Sequence, residues 1–518
     1  MSSVDAIIDN ERFSNWIGLQ TLSSKSCLTN QLQDWKYNHQ NLLQLSAKFK
    51  RFKDAFERDP SFFGKCHELF KEVADIEKRL NSLLYNHSSL EQESYNEILF
   101  FKPMLQPLNF VPFLLTVWSA IRIYVLPGIS LMFPIILLIA PYIILKVIFA
   151  VPITFKNYMT ILQSMVSGNF QKITNPNALD AMHLSQVSQV SQVSQVSPFA
   201  YIKPGMTILV TLLQGFIQPY WTYKHLNSID TIIQENGTLV LRFREIYSTL
   251  ESLLSSHGFT FFKCPLPPLS NERDATARIM LQSFNFKMAL KYIGSLEVIM
   301  CLADKRDVKP VHWINQVIPA FHINHAFDFQ VPEHQRKPIC VSFDKKRHAL
   351  LTGPNKGGKS TVLRALSMSA LLAHTYGCSF GEATMTPFRK LFVCLKPDDL
   401  PGSKSRFERE IEFTAHTLTY KEPILVFIDE LYHSTNPPDA LRSCDIYCEQ
   451  LWRKPNMVSV ISTHLFDLVE KSEESIQRLC CPAYADKAGD IHFEYSLKRG
   501  ICTVSSVDTL LKMNGLLA

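Results

Sequence analysis

Gly353-Pro354-Asn355-Lys356-Gly357-Gly358-Lys359-Ser360 fits the pattern G-x-x-x-x-G-K-[ST]. Glycines at those positions let the backbone curl so that its N–H groups surround phosphate oxygens. In such a cradle Lys359 neutralises the β- and γ-phosphates and the Ser360 hydroxyl ligates Mg2+. The apolar run HALL leads in and TVLRALSMSALLAH follows, so the spacing predicts strand, loop and helix, with the positive end of the helix facing the phosphates. Two more apolar runs end in polar residues. PILVFIDEL (Pro423 to Leu431) ends in Asp429-Glu430, and VSVISTHLFDL carries Thr463-His464. An acid at the first strand end can hold a Mg2+ shell, and the next carboxylate can orient or deprotonate water. An imidazole at the second can hydrogen-bond a γ-phosphate. Each of these residues alone is an ordinary polar strand end; three in order behind buried strands point to nucleotide hydrolysis, with Mg2+ and, as the expected nucleotide cofactor, ATP.

The elements that must position these groups are legible in outline. KPICVSFDKKRHALLTG has the alternating, β-branched look of strands entering a nucleotide fold. Upstream, NLLQLSAKFKRFKDAF and CHELFKEVADIEKRLNSLL place apolar residues at helical spacing, and the basic run Lys48, Lys50, Arg51, Lys53 reads first as a solvated helix face, with contact to phosphate or lipid headgroups as the alternative. GTLVLRFREIYSTLESLLSSHG and SFNFKMALKYIGSLEVIMCLADKR are further helices. The expected fold class is α plus α/β: helical N-terminal and middle regions with a hydrophobic hairpin, then a C-terminal P-loop domain. The expected division is 1–107 helical, 108–155 hydrophobic hairpin, 156–204 linker with the SQV repeat, 205–330 helical core or lever, and 331–518 ATPase domain.

The chain has 518 residues, 46% of them hydrophobic and 19% charged, with a net charge of +6. That mild charge permits nucleic acid or an acidic membrane surface as partner and demands neither. The charge deficit is concentrated between Leu108 and Phe155, where only Arg122 and Lys146 interrupt the apolar run. A spanning helix needs about 20 apolar residues, so the block has room for two, with the expected break at Pro127-Gly128. Pro134 and Pro141 are costly in a soluble helix and tolerated in a membrane one. A hairpin there would keep both termini on the side that holds ATP. GMTILVTLLQGFIQPYW (Gly205 to Trp221) is short for a span and reads as a core or interfacial helix. The twelve cysteines include no C-x-x-C pair, and Cys444 and Cys448, one helical turn apart, read as buried thiols. Together with the nucleotide motif this usage indicates a reducing compartment. The first residues carry no basic segment followed by an apolar one, so no secretory signal is expected.

The loop Gly353 to Thr361 closely resembles the Walker A of the MutS mismatch-repair ATPases, which differ from it at the Lys356 position. DDLPGSKSRFEREI, Asp398 to Ile411, resembles the signature segment of that family; DELYHSTNPPDA resembles its Walker B and following loop, STHLFDL its His motif, and FEYSLKRGICTVSSVDTLLKMNG its closing strand and helix. The resemblance covers roughly residues 285 to 518, and the lack of an LSGGQ-type signature separates the chain from transporter ATPases. It implies a head-to-head homodimer in which each site is completed by the other copy. Ser405 would reach the γ-phosphate in trans, with Thr435 and Asn436 near the interface. Glu430 would be the general base, Asp429 and Ser360 the Mg2+ positions, His464 the γ-phosphate sensor, and Lys359 the phosphate cation. Tyr495 falls where the family stacks a ring on adenine; a strand-core role is the alternative.

The chain also departs from the family. The family's Walker B loop is glycine-rich, whereas Tyr432-His433-Ser434 and Pro437-Pro438 stand here; Arg406 replaces the threonine after the signature serine; QRKPI lacks the upstream stacking aromatic; and nothing near the N-terminus resembles the Phe-x-Glu mismatch wedge. Three functions remain in order of preference. The first is a membrane-anchored MutS-like ATPase that opens and closes a dimer, its ATPase domain in a cytoplasm-like compartment, with DNA a compatible partner. The second is a soluble repair or recombination clamp with the hydrophobic block as core. The third is a non-catalytic ATP-binding dimer scaffold.

Overall fold

A computed structural model describes residues 7–85, 94–100, 102–167, 199–395, 404–486 and 491–504. The SQV repeat, residues 398–403 of the signature segment and the tail from 505 lie outside the described residues. The chain divides into two units, both discontinuous in sequence. The first comprises Met1–Lys78, Ile246–Cys264 and Met288–Ala518; the second comprises Arg79–Glu245 and Pro265–Lys287. Helices and mixed sheets together give the expected α plus α/β class.

The first unit is built on a six-stranded sheet whose spatial order is Lys498–Arg499, Gln477–Cys480, His348–Thr352, Met457–Ser462, Ile424–Ile428 and Lys390–Cys394. All neighbours are parallel except the first, antiparallel pair. The strands HALLT, ILVFI and MVSVIS are buried at every residue, which is why they read as unbroken apolar runs rather than alternating ones. Their carboxyl ends share one edge of the sheet, where ligands of open parallel sheets bind.

The helix Lys359–Tyr376 follows the central strand and is bounded by Gly358 (φ 101°) and Gly377 (φ 73°). Gly377 has a second constraint: a Cβ there would lie 2.4 Å from the backbone N of Ser46. At that crossing Ser46 donates to the Gly377 carbonyl at 3.0 Å and accepts from the Trp313 indole at 2.8 Å. The N-terminal helix His39–Arg58 is therefore stitched to the end of the helix Lys359–Tyr376 and to Trp313. Its basic face is not simply solvated, as its sequence suggests. Lys53 is buried, with Nζ donating to the Lys305 carbonyl at 2.5 Å, and Arg51 donates to the Gly258 carbonyl at 2.6 Å while lying over Phe259. Backbone carbonyls take up both cations.

In the second unit the hydrophobic block is one continuous helical run. Pro112–Ala120 passes through a π turn, Ile121–Val125, into Leu126–Ile143 and a second π turn, Ile144–Ile148. The expected break at Pro127-Gly128 is absent. Pro127 sits in the first turn of Leu126–Ile143, directly after wider π winding, where its missing N–H is tolerated. The chain instead turns back at residues 149–154 into the helix Phe155–Ser167, where Tyr158 donates its hydroxyl to the Leu138 carbonyl at 2.8 Å. Gly205 to Trp221 is part of a helix running from Phe199 to Ser256. Where that helix crosses the block, a Cβ on Gly215 would meet Pro134 Cγ at 2.5 Å. Farther along, a Cβ on Gly237 would lie 1.9 Å from the Glu272 carbonyl oxygen, and Arg273 grips the buried Asp230 with Nε at 2.8 Å and Nη2 at 2.6 Å. Close backbone approach fixes both glycines.

Pro112–Ile136 is long and apolar enough to cross a membrane, and only 22% of its most apolar window is buried. Phe113, Ile129 and Phe133 are exposed.

Two histidines buried in the first unit carry an acid sensitivity. His374 donates from Nδ1 to the Ala370 carbonyl at 3.0 Å, accepts from the Phe388 N–H at Nε2 at 3.0 Å, and stacks on Trp35 at 4.0 Å. His348 contacts Ser459 Oγ through Nδ1 at 2.9 Å. Burial lowers each from its ordinary value of 6.5 to about 3. The unfolded chain then binds the proton more readily, so stability is full above 6.5 and falls as pH drops towards 3. The limiting slope is about 1.4 kcal/mol per pH unit for each histidine. Thermal unfolding is expected at a lower temperature at about pH 5 than at about pH 7.5. His348→Gln, which removes one of the two titrating groups, narrows that difference.

Candidate nucleotide site

The glycine loop leaves the central strand at Thr352 and enters the helix at Lys359. Gly353 (φ 148°) and Gly358 (φ 101°) take left-handed values, and so does Lys356 (φ 64°), a non-glycine residue at the position where the chain departs from the MutS-type loop. A Cβ on Gly353 would stand 2.8 Å from the Cys481 carbonyl oxygen, so the neighbouring strand end excludes a side chain there. Lys359 is only 5% exposed; its Nζ donates to the Gly353 carbonyl at 2.9 Å and the Pro354 carbonyl at 3.2 Å. Burial lowers its pKa, with Glu430 and Asp429 acting the other way.

Asp429 caps the next strand and is 8% exposed. One of its carboxylate oxygens accepts from the Ser360 hydroxyl and the other from the Ser462 hydroxyl. Ser462 in turn accepts from the Glu430 N–H at 2.9 Å. The strand ends Ser462 and Asp429 and the first helical turn are therefore locked by one chain of hydrogen bonds. Among the described residues no group of three or more His, Cys, Asp or Glu side chains is placed to cage a metal. A serine hydroxyl beside a carboxylate suits Mg2+, which keeps several waters and takes phosphate oxygens rather than an all-protein cage.

Glu430 stands at φ 53°, and its carboxylate lies 3.3 Å from His464 Nε2. The same nitrogen is 3.2 Å from Lys359 Nζ. A single ring nitrogen holds either a proton or a lone pair, so His464 can donate to Glu430 or accept from Lys359, one at a time. The hydrogen bond from His464 holds the Glu430 carboxyl below its ordinary value of 4.5, against the opposing effect of burial. Glu430 is thus ionised throughout the neutral range, as a base toward water must be.

Of these groups Lys359, Ser360 and Glu430 line a cavity of about 660 Å³, while Asp429, Ser462 and His464 are outside its lining and reach it through their hydrogen bonds. Pro354 through Thr361, Glu430 and Tyr495 line it. Tyr495 is not a strand-core residue: the strand Ile491–Phe493 stops before it, it is exposed, and its Cδ1 lies 3.8 Å from where a Gly358 Cβ would be. Sequence reasoning missed the wall opposite. Phe327 and Arg336 line the same cavity, the guanidinium 4.6 Å above the ring. QRKPI lacks an aromatic, yet Arg336 supplies a flat face and Phe327 a ring from nine positions upstream. The aromatic-rich segment AFDFQV was the available signal.

Ser405, Thr435 and Asn436 are not in the cavity lining. Ser405 caps the helix Arg406–Leu418 through a capping box with Glu408, and Asn436 caps Pro437–Trp452 by accepting from the Asp439 N–H at 3.0 Å; Thr435 is partly exposed beside it. The Walker B loop reaches the first of these helices. Tyr432 (φ 56°) is buried, with its hydroxyl 2.6 Å from Thr414 Oγ1, and Ser434 donates to Glu410 Oε2 at 3.0 Å. Left-handed residues other than glycine cost of order 1–3 kcal/mol and persist where packing over-determines them; the ring of Phe407 against Tyr432 helps do this. Cys444 and Cys448 are fully buried under the same loop, with the Cys444 thiol 3.6 Å from the Leu431 carbonyl.

A parallel sheet with a phosphate-loop motif and acids at the ends of its strands defines the class of the site: a candidate nucleoside-phosphate site. Residues 349–515 match the family model of MutS domain V. That stretch begins within the central strand and contains every site residue named from sequence. The match supports a MutS-like assignment for this part of the chain.

Removing the Tyr432 hydroxyl leaves the ring packed and deletes one buried hydrogen bond. Tyr432→Phe is expected to destabilise the first unit by about 1 kcal/mol, read as a lower urea midpoint with unchanged slope.

Proposed function

We propose that the chain is a MutS-type ATPase of P-loop fold that binds and hydrolyses Mg2+–ATP at sites completed by a second copy, its nucleotide cycle opening and closing a homodimer. The observation that carries this reading is that Lys359, Ser360 and Glu430 line one cavity, with Asp429, Ser462 and His464 hydrogen-bonded to them from behind its wall. With nucleotide bound, Lys359 turns from its loop carbonyls to the β- and γ-phosphates. Ser360 and Asp429 would hold Mg2+, which would supply charge neutralisation on the phosphates. Glu430 accepts a proton from water, and His464 Nε2 donates to the carboxylate or to the γ-phosphate. Ser405, Thr435 and Asn436 face the other copy's nucleotide. Tyr495, Phe327 and Arg336 offer flat surfaces to the base.

The apolar run argues for membrane anchoring through Pro112–Ile136, with the ATPase unit on the ATP-containing, reducing side. A soluble clamp that used this block as core would require it to be buried, and the exposure of Phe113, Ile129 and Phe133 weighs against that. DNA stays a compatible partner through the family resemblance, without mismatch reading. A non-catalytic scaffold is disfavoured by the retention of Lys359, Asp429, Glu430 and His464 together.

Glu430→Gln is expected to bind ATP, to hydrolyse it slower by a factor of about 100 or more, and to persist as a dimer in size-exclusion chromatography with ATP. Turnover at the wild-type rate would remove Glu430 from the role of base. Because Glu430 sits below its ordinary value, the midpoint of any acid limb from this group in the rate profile is expected below pH 4.5.

A further inference from the structure

A second cavity, of about 740 Å³, lies wholly within the second unit, between the apolar helix and the long helix Phe199–Ser256. Its wall is two-faced. Leu126, Ile129 and Phe133 line one side, while Glu97, Arg122, Gln218 and His225 bring polar groups to it, the acid among them paired with Arg122. Arg122 is the only charged residue in the helical segment Pro112–Leu145. It sits in the π turn Ile121–Val125, and such turns re-aim side chains at functional sites. Glu97 does not merely neutralise it: Arg122 Nε donates to the Glu97 carbonyl at 3.1 Å and Nη2 to its carboxylate. These contacts use one edge of the guanidinium and fix its plane. A guanidinium has five donors, and among the described residues the edge carrying Nη1 has no hydrogen-bond partner, which leaves it to meet an anion. An ionisable group within an otherwise apolar spanning segment marks a binding or transport site by default. Phosphate suits the planar fork of arginine.

We infer that this groove holds an anionic phospholipid, its phosphate on Arg122 and His225 and one acyl chain along Leu126, Ile129 and Phe133. The occupant must be an amphiphile because the lining changes from polar to apolar within one cavity. It must come from the bilayer because the apolar wall continues into outward-facing side chains, with Phe133 and Ile129 both more than 60% exposed. This inference rests on the anchoring reading above.

The test uses the full chain in a mild non-ionic detergent, titrated with phosphatidylglycerol or with phosphatidylcholine, and bound lipid is counted by native mass spectrometry. Phosphatidylglycerol is expected to be retained about tenfold more strongly. Arg122→Gln should abolish that preference, and Ser130→Trp, which fills the groove from an exposed position without touching the ion pair, should reduce retention of both lipids. ATPase activity and melting temperature report that each variant is folded. Equal retention of the two lipids, or a preference that survives both substitutions, overturns the inference. Displacement of the lipid by inorganic phosphate alone would also overturn it, in favour of a free-anion site. Flotation with vesicles separates the two readings. A chain that floats yet shows no headgroup preference overturns the lipid site alone; a chain that does not float overturns the anchoring, and the lipid site with it.

Discussion

The desolvation of one ammonium group governs the nucleotide site. Lys359 is almost wholly removed from water, and a buried cation is costly unless paired or hydrogen-bonded. Its own loop meets part of that cost through the carbonyls of Gly353 and Pro354. The remainder shapes the neighbours: Glu430 and Asp429 oppose the fall in its pKa, and His464 places one nitrogen between the cation and the carboxylate. A polyanion entering this cavity gives Lys359 a better partner than neutral carbonyls. In the proposed function, phosphate recognition and the local electrostatics would thus have one physical origin.

Tethering follows from that arrangement. Asp429 is fixed from both sides by serine hydroxyls belonging to different elements, so the carboxylate arrives pre-oriented for a cation. The loop beyond it is held in left-handed conformations by a buried tyrosine rather than released by glycine. Tyr432 and Ser434 couple that loop to the helix headed by Ser405. In the proposed dimer, that coupling joins the hydrolytic base of one site to the group that completes the other.

The second unit answers to a different constraint. Its helices cross closely where Gly215 meets Pro134 and Gly237 meets Glu272. Its apolar faces are left outside, away from its own core of Ile98, Leu115, Ile123, Leu226 and their neighbours. Small residues at crossings and apolar residues outward are what the proposed anchoring would require of helices packed in a lipid solvent.

Much of this was written in the order of residues. Phosphate-loop spacing, strands ending in Asp429-Glu430 and Thr463-His464, and the apolar block are all local patterns; local steric and hydrophobic rules suffice to read them. Other features required the fold. The break expected at Pro127-Gly128 failed because a π turn, a property of hydrogen-bond winding, accommodated the proline. The basic run on His39–Arg58 looked solvated until carbonyls from distant segments met Lys53 and Arg51. Phe327 and Arg336 joined Tyr495 around one cavity although more than 150 positions separate them from it. The sequence by itself determined which groups can do chemistry, since that is a matter of side-chain type and short spacing. Only the tertiary structure decided which charges are buried, which are paired and which surfaces meet, because burial and pairing are set by contacts between segments that no local pattern encodes.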